Sequence, residues 1–426
     1  MTTSNLSRRH FLGLAAGLAG SLYCSGPWAA DNRLRFMWWG SRERAELTRK
    51  AIAAFTAANP GVVVDTEYLD WLDYWQRFVS QVATRQTPDL IQMDYRYLKL
   101  YANNGVLLPL DRYLGNRLDI ASFGQHNIDS CRVDGELYGV NLGVNAGAAI
   151  VDSEGWAAAG VEPPTFGTDW ETFGDKCEAF AKGNRQPNYY ATPDASGTMI
   201  ALENWLRQRG KGLYRGDGEL GFETADAVEW FRYWAGIRAA GGCVPADIQV
   251  LDKHSIETSV LILGFAAMDF AHSNMLLNYQ QRISRPLDIT AFPTTVGGQP
   301  GHYYKPSQML SVAAGSKAPD LSVELANFLV MSPEAVGILG VDRGIPASPA
   351  MRELLAPQLD EVDRKTIDYI DRLAPYVGPL PPTPPQGAGE VAIILQGIGH
   401  EIAFDQLTPK QGGEKLIREA AAILSK

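Results

Sequence analysis

At 426 residues the chain is too long for one ordinary core and suits two domains. It is 46% hydrophobic and 20% charged, the make-up of a soluble globular protein. A formal charge of −10 excludes an electrostatic partnership with nucleic acid or with an anionic membrane surface.

The chain opens on Ser7-Arg8-Arg9-His10-Phe11-Leu12, which matches the twin-arginine export motif, and the apolar run Phe11 to Leu22 follows. That run is shorter than the roughly 20 residues a spanning helix needs, so residues 1–30 read as a cleaved secretory signal. Cys24 follows Tyr23 where a lipid-modified cysteine wants a small residue, which argues against an anchor. The mature chain is expected to start near Asp31 in the periplasm. Losing two arginines and no acids takes its charge from −10 to −12. Cys131, Cys177 and Cys243 remain, far apart and without a CxxC, and are expected buried and reduced.

Arg33 to Trp38 reads as a strand, and Leu47, Ala51, Ala54, Phe55 and Ala58 recur at helical spacing after it. Asn59-Pro60-Gly61 stops that helix. Val62 to Tyr68 is a second strand, Trp71 to Val82 a second helix, and Asp89 to Met93 a short buried strand. This alternation predicts a mostly parallel sheet covered on both faces. Asp134-Gly135 signals a tight hairpin, and the apolar run Val140 to Asp152 is long enough to pass from one lobe to the next. Helical patterns follow at Ala225 to Ile237, Val323 to Val330 and after Thr408-Pro409; Ser259 to Phe270, Leu287 to Phe292 and Met309 to Ala314 read as strands. Pro375 to Pro385 reads as a stiff extended loop.

No nucleophile elbow, zinc-protease motif, phosphate loop or CxxC is present, and six histidines are scattered without ligand spacing. No cofactor or metal is expected. Gly387 to Ala392 grazes a dinucleotide fingerprint but follows prolines where a strand is required. The chemistry that stands out is Trp38-Trp39-Gly40, where a strand ends in a loop, with Arg44 in the first helical turn. Ligands of open α/β sheets sit at such places, and flat indoles there suit the apolar faces of sugar rings.

From Leu34 onward the chain resembles the family 1 extracellular solute-binding proteins of ATP-binding-cassette (ABC) sugar importers. The resemblance rests on Trp38-Trp39-Gly40, Phe55 to Val62, Thr87 to Ile91, Asp134 to Gly139, Pro333-Glu334-Ala335 and Arg343 to Pro346, in that order. Within the family, Arg44, Gln92-Met93-Asp94, Gly143-Val144-Asn145 and Lys305-Pro306-Ser307 look like binders of pectin-derived oligosaccharides; Ala45 departs from a frequent histidine there. The resemblance implies an α/β, two-lobed periplasmic binding protein fold with hinge crossovers and the ligand in the cleft between lobes. Residues 31–141 plus 288–315 would form the first lobe, and 142–287 plus 316–426 the second. It further implies a monomer that binds carbohydrate, performs no chemistry and meets an ABC permease in the inner membrane. The alternatives are a neutral-sugar or polyol binder and an exported carbohydrate-active enzyme.

Adjacent Trp38 and Trp39 point to opposite faces of a strand, so Trp39 is the expected sugar platform and Trp38 its support. Trp71, in the loop after the second strand, is a second platform or a core residue. Asp94, Asn145, Asp269, His272 and Ser273 sit at strand ends, where they would accept from or donate to sugar hydroxyls. Ser307 joins them by resemblance. Arg44, Lys305 and Arg343 decide whether the sugar is acidic, because a cation matches a carboxylate at roughly 1.5–3 kcal/mol per charge-assisted bond.

Overall fold

The computed structural model describes residues 32–40, 42–69, 71–252 and 256–425. The expected export signal and its cleavage point lie outside them, as do the side chains of Glu43, Trp71 and Leu72.

In the first lobe β1 (Arg33–Trp39), α1 (Arg42–Ala58), β2 (Val63–Leu69), α2 (Trp71–Ala83), β3 (Leu90–Met93) and α3 (Tyr95–Asn103) alternate as the sequence predicts. Strand β1 is buried without a break from Phe36 to Trp39, as expected of an inner strand covered on both faces. Helix α1 buries Ala45, Thr48, Ala51, Ile52 and Phe55, one stripe at 3.6-residue spacing. After α4 (Gln125–Asp129), Asp134 and Gly135 both take positive φ, 49° and 91°, and close the expected hairpin between β4 (Arg132–Val133) and β5 (Glu136–Leu137). The sheet order is β2-β1-β3-β10-β6, with β6 (Val140–Asn145) and β10 (Lys305–Val312) joining the parallel trio; β10 runs antiparallel to both its neighbours.

The apolar run that begins at Val140 crosses between lobes. It ends β6 at Asn145 and resumes as β7 (Gly147–Val151), the centre of a second sheet ordered β8-β7-β9. Around that sheet lie α5 (Ser153–Ala158), α6 (Trp170–Gly183), α7 (Met199–Gln208), α8 (Thr224–Ala239) and α9 (Ala246–Gln249). Trp156, Trp205, Trp230 and Trp234 are fully buried there, and Trp230 Nε1 donates to Ser196 O at 2.9 Å. Strand β8 (Met268–His272) is shorter than the strand expected from Ser259, because residues 259–264 turn; α10 (Leu276–Gln280) and β9 (Asp288–Thr290) follow.

The expected lobe boundaries differ from the pairing. Strand β9 pairs with β7, so residues 288–290 belong to the second sheet rather than the first. Asn145 pairs with Lys305, so the crossover falls at Ala146 instead of after Asn141. Helices α11 (Pro319–Met331) and α12 (Pro333–Leu339) pack on α1, with Phe328 and Phe55 5.3 Å apart, which places residues 319–339 on the first lobe. Val323, Leu325, Ala326, Leu329 and Val330 drive this, since they form an apolar face that must be covered. After α13 (Pro349–Leu355), α14 (Glu361–Arg372) lies against the crossovers: Tyr369 OH donates to Gly147 O, and Ile370 O accepts from Tyr304 OH at 2.8 Å. Helices α15 (Ala388–Ala403) and α16 (Pro409–Leu424) return to the second lobe and pack on α8. The fold has two lobes joined by crossing strands. Cys131, Cys177 and Cys243 are buried free thiols.

Candidate functional site

The crossing strands bring polar residues together. Asn145, the last residue of β6, faces Lys305, the first of β10; two residues on, Gly147 faces His272 at the end of β8. Asn145 Oδ1 and His272 Nδ1 are buried without a hydrogen-bond partner among the described residues. An unmet buried polar atom costs about 1–3 kcal/mol, so each of these two atoms has a bond to gain. Burial, and then the nearby Lys305 ammonium, push the His272 imidazole down to about 4. It is therefore neutral at ordinary pH, with the ring held by the Ala146 backbone and Nδ1 left unmet. Lys305 itself is exposed and forms no ion pair among the described residues. Helix α7 adds Glu203, whose Oε2 accepts from Tyr303 OH at 2.9 Å. Burial raises the Glu203 carboxyl, against the pull of Tyr303, Arg207 and Lys305.

His272 also lines a cavity of about 360 Å³ in the second lobe. Met199 and Ile200 from the start of α7, Phe270, Met275 and Ile393 supply apolar walls, and Gln396 a polar one. Such a mixture of apolar walls with a few fixed polar groups suits a small polar ligand with flat apolar faces. The floor is Asp269, which accepts from Ser259 Oγ, from Tyr279 OH at 2.7 Å and from Phe270 N at 2.8 Å. Burial, with the charge of Asp252, pushes its carboxyl up to about 6 from 3.8. Between about pH 4 and 6 the folded protein thus keeps a proton that the unfolded chain has released. Stability contributed by this group is complete below that window, falls by about 3 kcal/mol as pH rises through it, and is flat above. Asp269→Asn is expected to remove that slope, read as the difference between the two proteins' denaturation midpoints against pH.

A second cavity, about 450 Å³, lies where the lobes meet the proline-rich segment. Tyr95 and Lys99 of α3 face Gly216 to Gly218, Pro382 and Pro385 across it, and Tyr95 OH donates to Pro381 O at 2.8 Å.

The other residues singled out from sequence have structural duties. Trp38 is wholly buried, packed between Phe36 and a stacked Tyr68, and so is a core residue rather than part of a ligand surface. Trp39 is 7% exposed, its ring against Tyr74 and Trp75 at 5.0 and 5.7 Å. Gly40 has φ +149° and donates to Leu69 O at 3.1 Å; the Arg44 side chain crosses over it where a Cβ would stand 2.3 Å from Cδ. Arg44 is turned to Asp342, pairing with its carboxylate at 2.7 Å and its carbonyl at 2.9 Å. Arg343 is buried and donates to Gln92, to Thr48 Oγ1 at 2.6 Å and to Gln308 at 3.1 Å. Ser307 Oγ donates to Gly143 O at 2.9 Å and to Arg343 O. Asp94 caps α3, accepting from Arg96 N at 2.9 Å and pairing with the Arg96 guanidinium. Ser273 is fully buried, its Oγ accepting from Ala146 N at 3.1 Å.

Asn145, His272 and Lys305 therefore share the crossover, with Asp269 in the adjoining cavity, while Arg44, Arg343 and Ser307 form a lock inside the first lobe. Glu203, Tyr303, Met199 and Gln396 were missed by sequence reasoning. Tyr303-Tyr304 immediately before Lys305 was a visible signal; Glu203 in mid-helix had none.

The family model for bacterial extracellular solute-binding proteins matches residues 50–363. A binding protein of Brucella abortus is 23% identical over 224 residues, 53% of this chain and 54% of that one, so the chain spans about half the length of the curated relatives it matches. A family 1 extracellular solute-binding protein from Alicyclobacillus acidocaldarius is 28% identical with a TM-score of 0.85, over 92% of this chain and 98% of that one. A periplasmic oligogalacturonide-binding protein from Yersinia enterocolitica is 23% identical with a TM-score of 0.77, over 92% and 99%. An ABC substrate-binding protein from Listeria monocytogenes, solved with cycloalternan, is 18% identical with a TM-score of 0.68, over 92% and 99%. At such identities the last two speak for the fold alone. The family match covers most of the chain, which belongs to the bacterial extracellular solute-binding proteins.

Proposed function

We propose that this protein is the substrate-binding component of an ABC importer and captures a short uronate-containing, pectin-derived oligosaccharide. On this reading it reaches the periplasm by twin-arginine export and works there as a monomer without a cofactor. It performs no chemistry and delivers the sugar to the inner-membrane permease. The observation that carries the acidic-sugar reading is Lys305, an exposed cation without an ion pair among the described residues, beside the unmet polar atoms of Asn145 and His272. A carboxylate would sit on Lys305, hydroxyls would meet Asn145 and His272, and a ring face would rest in the neighbouring cavity. The likeness in fold to an oligogalacturonide-binding protein supports this. Contact with both lobes would favour a closed form, because a ligand shifts an equilibrium only by its differential affinity for the two states.

Arg44 and Arg343 favour a second reading, a neutral-sugar or polyol binder, since both are turned to internal partners. Calorimetry against digalacturonate, trigalacturonate and neutral disaccharides tests the two. A micromolar dissociation constant for the uronates, about −8 kcal/mol, is the expected result. Equal affinity for neutral sugars would favour the second reading, and no heat with any carbohydrate would overturn both.

A further inference from the structure

We propose that Ile393 of α15 is the platform on which the apolar face of a sugar ring rests, the part expected of Trp39, and that it holds acidic and neutral sugars alike. This deepens the carbohydrate reading of the same cavity and rests on it.

Helix α15 buries one stripe, Val391, Leu395, Ile398 and Ile402, in the core of the second lobe. Ala392, Ile393 and Gln396 lie off that stripe and line the cavity that holds Asp269. Ile393 is 70% exposed, so a bulky aliphatic side chain stands in water at the edge of a cavity. Covering it is favourable, and the fold leaves it uncovered. The same cavity is lined by His272 with its unmet Nδ1, so an apolar and a polar group that both gain from a ligand share one space. The aromatic side chains of the lining are already committed. Phe270 is buried in T-shaped contacts with Phe173, Trp234 and Phe292 at 6.2, 6.0 and 5.2 Å, and Tyr279 is buried with its hydroxyl on Asp269.

Met199 and Met275 are half-buried, flexible thioethers that adapt to what is placed on them. Ile393 is stiff by comparison, because a β-branched side chain in a helix keeps one preferred rotamer. Its helix is also held in place. Gln396 Nε2 donates to Asp252 O at 3.2 Å, and α15 lies so close to the turn Ala195–Gly197 that a Cβ on Gly197 would stand 2.9 Å from Gln396 Cα. A fixed apolar surface beside a few polar groups matches a pyranose ring, whose C–H face is apolar and whose hydroxyls stand at its edge.

Calorimetry of the full protein with digalacturonate and with neutral disaccharides, at two ionic strengths and several temperatures, tests this. Ile393→Ser should weaken every sugar the wild type binds by about 3- to 10-fold, part of the transfer free energy of one aliphatic side chain. The loss should be equal at both ionic strengths, and the heat-capacity change on binding should become less negative, because less apolar surface is covered. Ile393→Leu should stay within about twofold of the wild type. An affinity within about twofold of the wild type in Ile393→Ser would overturn this assignment alone. So would a loss that shrinks with salt, an unchanged heat-capacity change, a loss shared in full by Ile393→Leu, or a denaturation midpoint well below the wild type's. No carbohydrate binding by the wild type would overturn the carbohydrate reading and this assignment with it.

Discussion

Lys305→Ala is expected to weaken digalacturonate binding by about 10- to 100-fold while leaving any neutral-sugar affinity within about twofold. One charge-assisted contact is lost, worth roughly 1.5–3 kcal/mol. Lys305 carries this effect because the two arginines that sequence reasoning placed beside it are occupied. Arg44 is held by Asp342, and Arg343 is enclosed by Gln92, Gln308 and Thr48. The lysine is exposed and begins an antiparallel strand, so its truncation should change folding stability by less than about 0.5 kcal/mol. A contact to an exposed ammonium is also screened, so wild-type affinity for the uronate should fall with added salt, and the variant's should fall less. Calorimetry at two ionic strengths measures both effects. Equal losses for acidic and neutral sugars would show that Lys305 acts through the fold rather than on a carboxylate.

The alternation from β1 to α3 was legible because local periodicity alone specifies it: Ala51 and Phe55 fall on one helix face, and Asn59-Pro60-Gly61 ends it. The hairpin at Asp134-Gly135 was legible because few residues tolerate positive φ, and these two do. What local pattern does not carry is which distant surface covers an apolar face. The helical stripe at Val323 to Val330 was plain, but that it would cover α1 depends on where the chain returns after β10. The same holds for the arginines. Asp342 stands next to Arg343, which suggests a turn held by that pair; the structure gives Asp342 to Arg44, 298 positions away, and gives Arg343 neutral acceptors. Asn145 and His272 do end strands β6 and β8, yet their unmet atoms arise only from the packing of both crossovers. Glu203 is the extreme case, since a glutamate within Leu202-Glu203-Asn204-Trp205 reads as an ordinary helix position.

Arg343→Ala is expected to destabilise the protein by about 2–4 kcal/mol, measured from denaturant midpoints at constant slope. Burial, with the neighbouring Arg44 charge, lowers this guanidinium to about 9, so keeping it charged is itself costly. It is retained at that cost by its partners: it donates to Gln92, and Gln92 Nε2 in turn donates to Trp39 O at 3.3 Å at the end of β1. Alanine would leave Gln92 Oε1 short of a donor and open a cavity under the loop at Gly40. Arg343→Met separates the two causes. A methionine fills much of the volume and buries no charge, so its cost should fall to about 1–2 kcal/mol, the share of the unmet glutamine oxygen. Arg44→Ala should cost about 1 kcal/mol or less, because its pair with Asp342 is partly exposed. The order alanine, methionine, then Arg44→Ala follows from a lock inside the first lobe. If Arg343→Ala instead kept its stability to within about 1 kcal/mol and lost only uronate affinity, Arg343 would be a ligand contact after all.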